Sequence, residues 1–186
     1  MVGLGILGLC VVELTCSLGG RVVALGNSTL REGKACDIGA HWAASSGGKK
    51  LRESVKEFTR GNGIDLVILA ANSWLAYRTA MEIAGNRCKV TILSLLGRGE
   101  PLPDFNPLAM EWFYKKELEL IAVTLRDEDR KGLSRDLRYL LELMEQGTIQ
   151  PKRLITHRLS IRQIKEAYDI ADKRDKSMIG AVFTWC

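Results

Sequence analysis

The chain opens on Gly3-Leu4-Gly5-Ile6-Leu7-Gly8, and the apolar run Leu9-Cys10-Val11-Val12-Glu13-Leu14 follows at once. A G-x-G-x-x-G that opens a helix admits few folds, because each glycine has its own physical task. Gly3 permits a tight turn, Gly5 lets a pyrophosphate approach the backbone, and Gly8 lets the helix pack closely on a sheet. The free N–H groups of the first helical turn, at Ile6, Leu7 and Gly8, and the positive end of the helix dipole then hold phosphate. Glycines at any strand-to-helix turn could imitate the pattern, so context decides. Here Leu18-Gly19-Gly20 stops the helix and Arg21-Val22-Val23-Ala24-Leu25 supplies a β-branched strand, which completes a strand–helix–strand unit.

Short apolar runs keep alternating with amphipathic stretches, the pattern of a parallel sheet covered by helices on both faces. Helices are expected over 29–38, 49–59 and 74–83, the second with Leu51, Val55 and Phe58 on one face. Strands are expected at 41–44, at Asp65–Ala70, at Lys89–Leu95 and, after a loop carrying Pro101, Pro103 and Pro107, at Leu118–Val123. Asp65–Ala70 is apolar almost throughout, as suits a strand buried on both faces. With Met1–Leu4 as the first strand there are six, and the expected class is α/β: a doubly wound parallel sheet, the Rossmann fold, in the order 3-2-1-4-5-6. From Arg130 the pattern changes. Leu133, Leu137, Leu140, Leu141 and Met144 stripe a long helix that ends at Gly147, and a strand, a helix and a last strand at 179–184 follow. The expected division is a dinucleotide-binding domain with its following helix, 1–147, and a C-terminal helix–strand appendage, 148–186.

Composition narrows the classes further. The five cysteines include no C-x-x-C pair, so neither a disulfide framework nor a zinc cluster is indicated, and a cytoplasmic setting is expected. Cys10 and Cys16 lie six apart on one helix, the wrong spacing to share a metal. No apolar stretch is long enough for a membrane span. The net charge of +5 comes from 27 basic residues interleaved with 22 acidic ones, which reads as solvated helix faces and not as a nucleic-acid surface.

The order of pieces resembles the cofactor half of the medium-chain dehydrogenase/reductase family, the zinc-type alcohol, sorbitol and threonine dehydrogenases. The matching stretches are the glycine loop, Asp37-Ile38-Gly39-Ala40-His41, Gly63-Ile64-Asp65-Leu66-Val67-Ile68, Lys115-Lys116-Glu117-Leu118, and Leu154-Ile155-Thr156-His157-Arg158-Leu159 leading into Glu166-Ala167-Tyr168. The resemblance implies hydride transfer between NAD(P) and an alcohol or carbonyl, with the substrate oxygen on a catalytic zinc. In that family a preceding domain supplies the zinc ligands and proton relay, and only Met1 and Val2 precede Gly3 here. The chain itself is therefore expected to carry no catalytic or metal residues. Its expected partners are a dinucleotide and either a second copy or a separate catalytic-domain chain. The alternative is a stand-alone, non-catalytic dinucleotide-binding or sensing module.

NAD-preferring members carry a carboxylate about 20 residues past the loop, where this chain has Gly26-Asn27-Ser28-Thr29-Leu30-Arg31. Small polar residues and Arg31 resemble the arrangement that pairs a 2′-phosphate, which points to NADP over NAD. Asn72, after the fourth strand, is placed to meet the ribose or adenine side, and Leu95 and Leu96, after the fifth, to meet the nicotinamide. Lys176 lies where some relatives place a basic residue by the pyrophosphate. His157 falls in a segment that is structural in the family, and His41 stands at a strand start, so neither is assigned a role.

Overall fold

Apolar runs too short for helices pair as parallel strands, and the amphipathic stretches between them cover the two faces. The computed structural model describes residues 1–46, 49–124 and 130–185; the side chains of residues 49 and 130–133, Leu133 among them, lie outside the described residues, as does Cys186. The elements are α1 (Ile6–Ser17), β1 (Val23–Gly26), α2 (Thr29–Asp37), β2 (Trp42–Ser45), α3 (Lys49–Phe58), β3 (Ile64–Leu69), α4 (Trp74–Ile83), β4 (Ala84–Ile92), β5 (Glu119–Ala122), α5 (Arg130–Glu145), β6 (Ile155–Ser160), α6 (Ile164–Asp172) and β7 (Gly180–Thr184).

β1 pairs in parallel with β2, and β3 with β4 and β4 with β5. Val2 joins the two sets by bridging Leu25 of β1 and Leu69 of β3. The spatial order β2-β1-Val2-β3-β4-β5 is the 3-2-1-4-5-6 order of a doubly wound sheet. The first strand is shorter than expected, however: of Met1–Leu4, Val2 alone bridges. β6 and β7 form a separate two-stranded parallel sheet.

One apolar cluster lies on the α3/α4 side of the sheet, with Val23, Leu25, Val67, Leu69, Met81 and Val90 buried in it. The other lies on the α1/α2 side around Leu9, Val12, Ala24 and Ala35, and it takes in Leu154 and Ile179. These last two, 0 % and 8 % exposed, fix the appendage to the main sheet domain. Glu13 of α1 strengthens the junction by accepting the Gln150 N–H at 2.9 Å. Burying a leucine or isoleucine contributes about 1.5–3 kcal/mol, so each such contact is a substantial anchor.

Three details differ from the sequence reading. β3 is not buried on both faces, since Leu66 is 47 % exposed. The loop before β5 carries a π-helical turn, Met110–Tyr114, held where Tyr77 Oη and Trp112 Nε1 both donate to the Pro107 carbonyl. The strand expected from Lys89 begins earlier: β4 starts at Ala84, directly after α4. That helix end is satisfied from outside, because Lys116 Nζ donates to the carbonyls of Met81, Glu82 and Ala84 at 2.8, 2.9 and 2.8 Å. The apolar stripe of α5 is uncovered, with Leu137, Leu141 and Met144 each at least 41 % exposed.

Candidate functional site

Each glycine of the opening motif meets a different constraint. Gly3 has φ +99°, a conformation that suits glycine, and a Cβ there would stand 2.5 Å from the Ala71 nitrogen. At Gly8 a Cβ would collide with the Gly3 carbonyl, so this glycine brings α1 onto the first turn. Gly5 faces open space. It is the N-cap of α1 and offers no side-chain cap, so the N–H groups of the first turn are left for a ligand.

These groups border a cleft of about 660 Å³ at the carboxyl ends of β1 and β3, on either side of Val2. That is the topological switch point, where ligands of open α/β sheets bind. Of the residues singled out from the sequence, Gly3, Gly5, Gly26, Asn27, Arg31, Asn72 and Lys176 line it. Gly26 packs closely on Leu4: a Cβ would lie 2.9 Å from Leu4 Cδ1, so the leucine would have to shift. Ile6 and Leu7, about half exposed, sit in the first turn of α1. Ser28 caps α2, its hydroxyl accepting the Arg31 N–H at 3.4 Å. Leu95 is 73 % exposed beyond the end of β4, while Leu96 packs against the α3/α4 cluster; neither lines the cleft.

The Arg31 guanidinium is held on one side only. Its Nη2 donates to the Met178 carbonyl at 2.9 Å, and its Nε is buried without a partner. A buried donor left unpaired is costly unless something accepts from it. The cleft's charged lining residues are Arg31, Arg174, Lys176 and Asp175. The Asp175 carboxylate is held below the usual range by the Ser177 N–H that it accepts. Glu32 does not line the cleft and accepts from the Ser45 hydroxyl at 2.9 Å. A cleft with three cations to one carboxylate, beside uncapped helical N–H groups, is built for an extended anion.

Sequence reasoning missed most of one wall, formed by Ala171, Arg174, Asp175, Met178 and Ile179. The only local signal there is the charged run Lys173-Arg174-Asp175-Lys176. The histidines have structural partners: His41 Nδ1 accepts the Val22 N–H at 3.3 Å, and His157 Nδ1 lies 2.9 Å from Thr156 Oγ1. Cys10 and Cys16 pack against the α1/α2 cluster, and burial pushes both thiols up. Among the described residues no group of three His, Cys, Asp or Glu side chains could hold a metal ion, and no helix is long and apolar enough to cross a membrane.

Residues 7–146 match the family model described as zinc-binding dehydrogenase. The L-threonine 3-dehydrogenase of Bacillus licheniformis is 25% identical over 174 residues, which are 93% of this chain and 47% of that protein. The alcohol dehydrogenase TADH from Thermus sp. ATN1 superposes with a TM-score of 0.79 at 20% identity, over 98% of this chain and 49% of that one. An E. coli CFT073 alcohol dehydrogenase solved with NADH gives 0.75 at 21% identity, over 98% and 50%. The chain thus spans about half the length of the curated relatives it matches. With its doubly wound sheet, its glycine turn and this match, the chain belongs to the zinc-binding dehydrogenase family.

Proposed function

We infer that the chain is the cofactor-binding portion of an NAD(P)-dependent zinc-type alcohol or polyol dehydrogenase. The observation that carries this reading is the cleft itself, in which Gly3 and Gly5, the open first turn of α1 and the Arg31 guanidinium converge. A dinucleotide fits these groups. The α1 N–H groups receive the pyrophosphate, Asn27 and Asn72 flank the adenosine side, and Lys176 adds a cation. The bound nicotinamide gives or takes the hydride, while this chain's residues orient the cofactor and shield it. In this reading the zinc and the substrate pocket are supplied by polypeptide beyond this half, as the chain spans about half the length of the relatives it matches. That polypeptide is either a catalytic-domain chain or the remainder of a longer one.

Within this reading the cofactor is NADP(H) in preference to NAD(H). The partnerless Arg31 Nε and the absence of a carboxylate among the β1-end residues of the cleft, Gly26 and Asn27, support it. An NADH complex of a relative makes NAD(H) the comparison to run. Calorimetric titration of the 186-residue chain with each dinucleotide, beside Gly5→Asp, is the test. The variant side chain has free space at this position, so the fold is retained while its charge opposes phosphate. Micromolar binding that Gly5→Asp abolishes is expected. No binding at millimolar dinucleotide, or equal binding by the variant, overturns the proposal.

A further inference from the structure

A carboxylate does stand in the cleft, but it comes from the C-terminal wall. Asp175 lines the cleft together with Arg31, Arg174 and Lys176, whereas Glu32, at the start of α2, is turned to Ser45. The end of β1, where a ribose-binding carboxylate commonly stands, offers Gly26 and Asn27 instead. A carboxylate among phosphate-binding cations opposes the phosphates, so its place in the cleft calls for a neutral donor in the same ligand.

Asp175 is fixed by its own turn. Its Oδ1 accepts the Ser177 N–H at 2.8 Å, its carbonyl accepts the Met178 N–H at 3.4 Å, and its N–H donates to the Ile170 carbonyl at 3.1 Å. An ionised carboxylate has about four acceptor sites, of which the Ser177 N–H takes one. Among the described residues Asp175 forms no ion pair. The turn is tied to both sides of the cleft. The Met178 carbonyl accepts Arg31 Nη2 at 2.9 Å, and a Cβ on Gly180 would stand 2.8 Å from the Cδ1 of Ile6, in the first turn of α1. Thr156 Oγ1 steadies the turn from behind by accepting the Ile179 N–H at 3.0 Å. Residues 175–180 therefore reach from the phosphate-binding turn of α1 to Arg31. In a bound adenosine nucleotide the group between the 5′-phosphates and the 2′ position is the ribose, and its hydroxyls are neutral donors.

We propose that Asp175 is the ribose acceptor of this cleft: its carboxylate accepts a hydrogen bond from a hydroxyl of the adenosine ribose, in place of the carboxylate that the end of β1 lacks. The assignment rests on the dinucleotide reading and deepens it. It holds for NAD(H) and NADP(H) alike, because the 3′-hydroxyl is present in both. A hydroxyl bonded to an ionised carboxylate is held more strongly than one bonded to a neutral acceptor. The bond gives the cleft a preference for ribose over deoxyribose that phosphate contacts do not supply.

Asp175→Asn keeps the Ser177 bond through its amide oxygen and removes the charge. Calorimetric titration of the 186-residue chain and of this variant with ADP and with 2′,3′-dideoxy-ADP, at about 0.15 M salt to screen distant charges, measures what the hydroxyls contribute in each protein. The parent is expected to prefer ADP by about tenfold, and Asp175→Asn to bind the two nucleotides within about twofold of each other. A merely structural role would weaken both nucleotides alike and leave their ratio unchanged. A parent without the preference, or a variant that retains it, overturns the assignment. So does a variant that binds both nucleotides more tightly at an unchanged ratio, because the carboxylate then acts only as a repelling charge. ADP binding that Gly5→Asp abolishes leaves the dinucleotide reading standing in each of those cases. A parent that binds neither nucleotide at millimolar concentration overturns that reading, and the ribose assignment with it.

Discussion

Arg31 Nη2 donates to the Met178 carbonyl at 2.9 Å, linking residues 147 positions apart in the chain. The bond ties the start of α2 to the turn that forms one wall of the cleft, and the neighbouring Nε is buried without a partner. A charge-assisted hydrogen bond to phosphate contributes roughly 1.5–3 kcal/mol, or about tenfold to a hundredfold in affinity. Arg31→Ala is expected to weaken NADP(H) by that factor and NAD(H) far less. Calorimetry that finds the same NADP(H)-to-NAD(H) ratio in the variant would reject the assignment.

Two glycines of one motif are expected to fail differently. Gly3→Ala forces a side chain into a φ of +99° with Ala71 at 2.5 Å, and is expected to cost about 3 kcal/mol or more. Gly5→Ala meets no atom within 4 Å and is expected to leave the melt within about 1 kcal/mol while weakening the dinucleotide. Chemical denaturation beside binding separates the two; equal destabilisation would contradict the geometry.

In the 186-residue polypeptide taken by itself, the amine at Met1 predicts a pH dependence. Its nitrogen is buried while the residue as a whole is half-buried, and desolvation lowers its pKa from 8.0 to about 5. Between those values the unfolded chain takes up a proton that the folded chain refuses. Stability is therefore full above pH 8, falls as pH drops towards 5, and loses nothing further from this group below 5. At 1.36 kcal/mol per pH unit the window is worth up to about 4 kcal/mol. Urea melts between pH 5 and 8 are expected to show this slope, and an acetylated or extended N-terminus to abolish it. An unchanged slope after acetylation would refute the cause.

Lys116 gives its three ammonium hydrogens to three carbonyls at the end of α4, and burial lowers its pKa from the ordinary lysine value. Lys116→Met keeps the stem and removes every donor. The expected cost is about 2–4 kcal/mol, because the helix-end carbonyls lose their partners. A melt within a few tenths of the parent would show that water replaces the ammonium.

Uncovered apolar residues predict association. Leu95, Leu102, Leu137, Leu141 and Trp185 are each at least half exposed, and wet side chains of this size forfeit roughly 1.5–3 kcal/mol apiece. Light scattering is expected to show concentration-dependent self-association that a catalytic-half chain relieves. A monodisperse monomer that binds no apolar dye would count against it.

The strand and helix order, the glycine turn and the basic residue close behind β1 could be read from the chain because all are local. Gly3, Gly5 and Gly8 act through their own backbones, the β-branched and amphipathic runs through their periodicity, and Arg31 through its short distance from Gly26. The remainder depends on pieces distant in sequence. The wall carrying Arg174 and Met178 faces Arg31 only because Leu154 and Ile179 bury against α1 and α2. Val2 takes its place between β1 and β3 by bridging Leu25 and Leu69, residues far from it in sequence. The π-helical turn at Met110–Tyr114 and the Lys116 cap arise where residues about 30 positions apart meet. Periodicity reports which face of an element is apolar, but not which distant element arrives to cover it or supply its missing hydrogen bonds, and that is settled by packing of the whole chain.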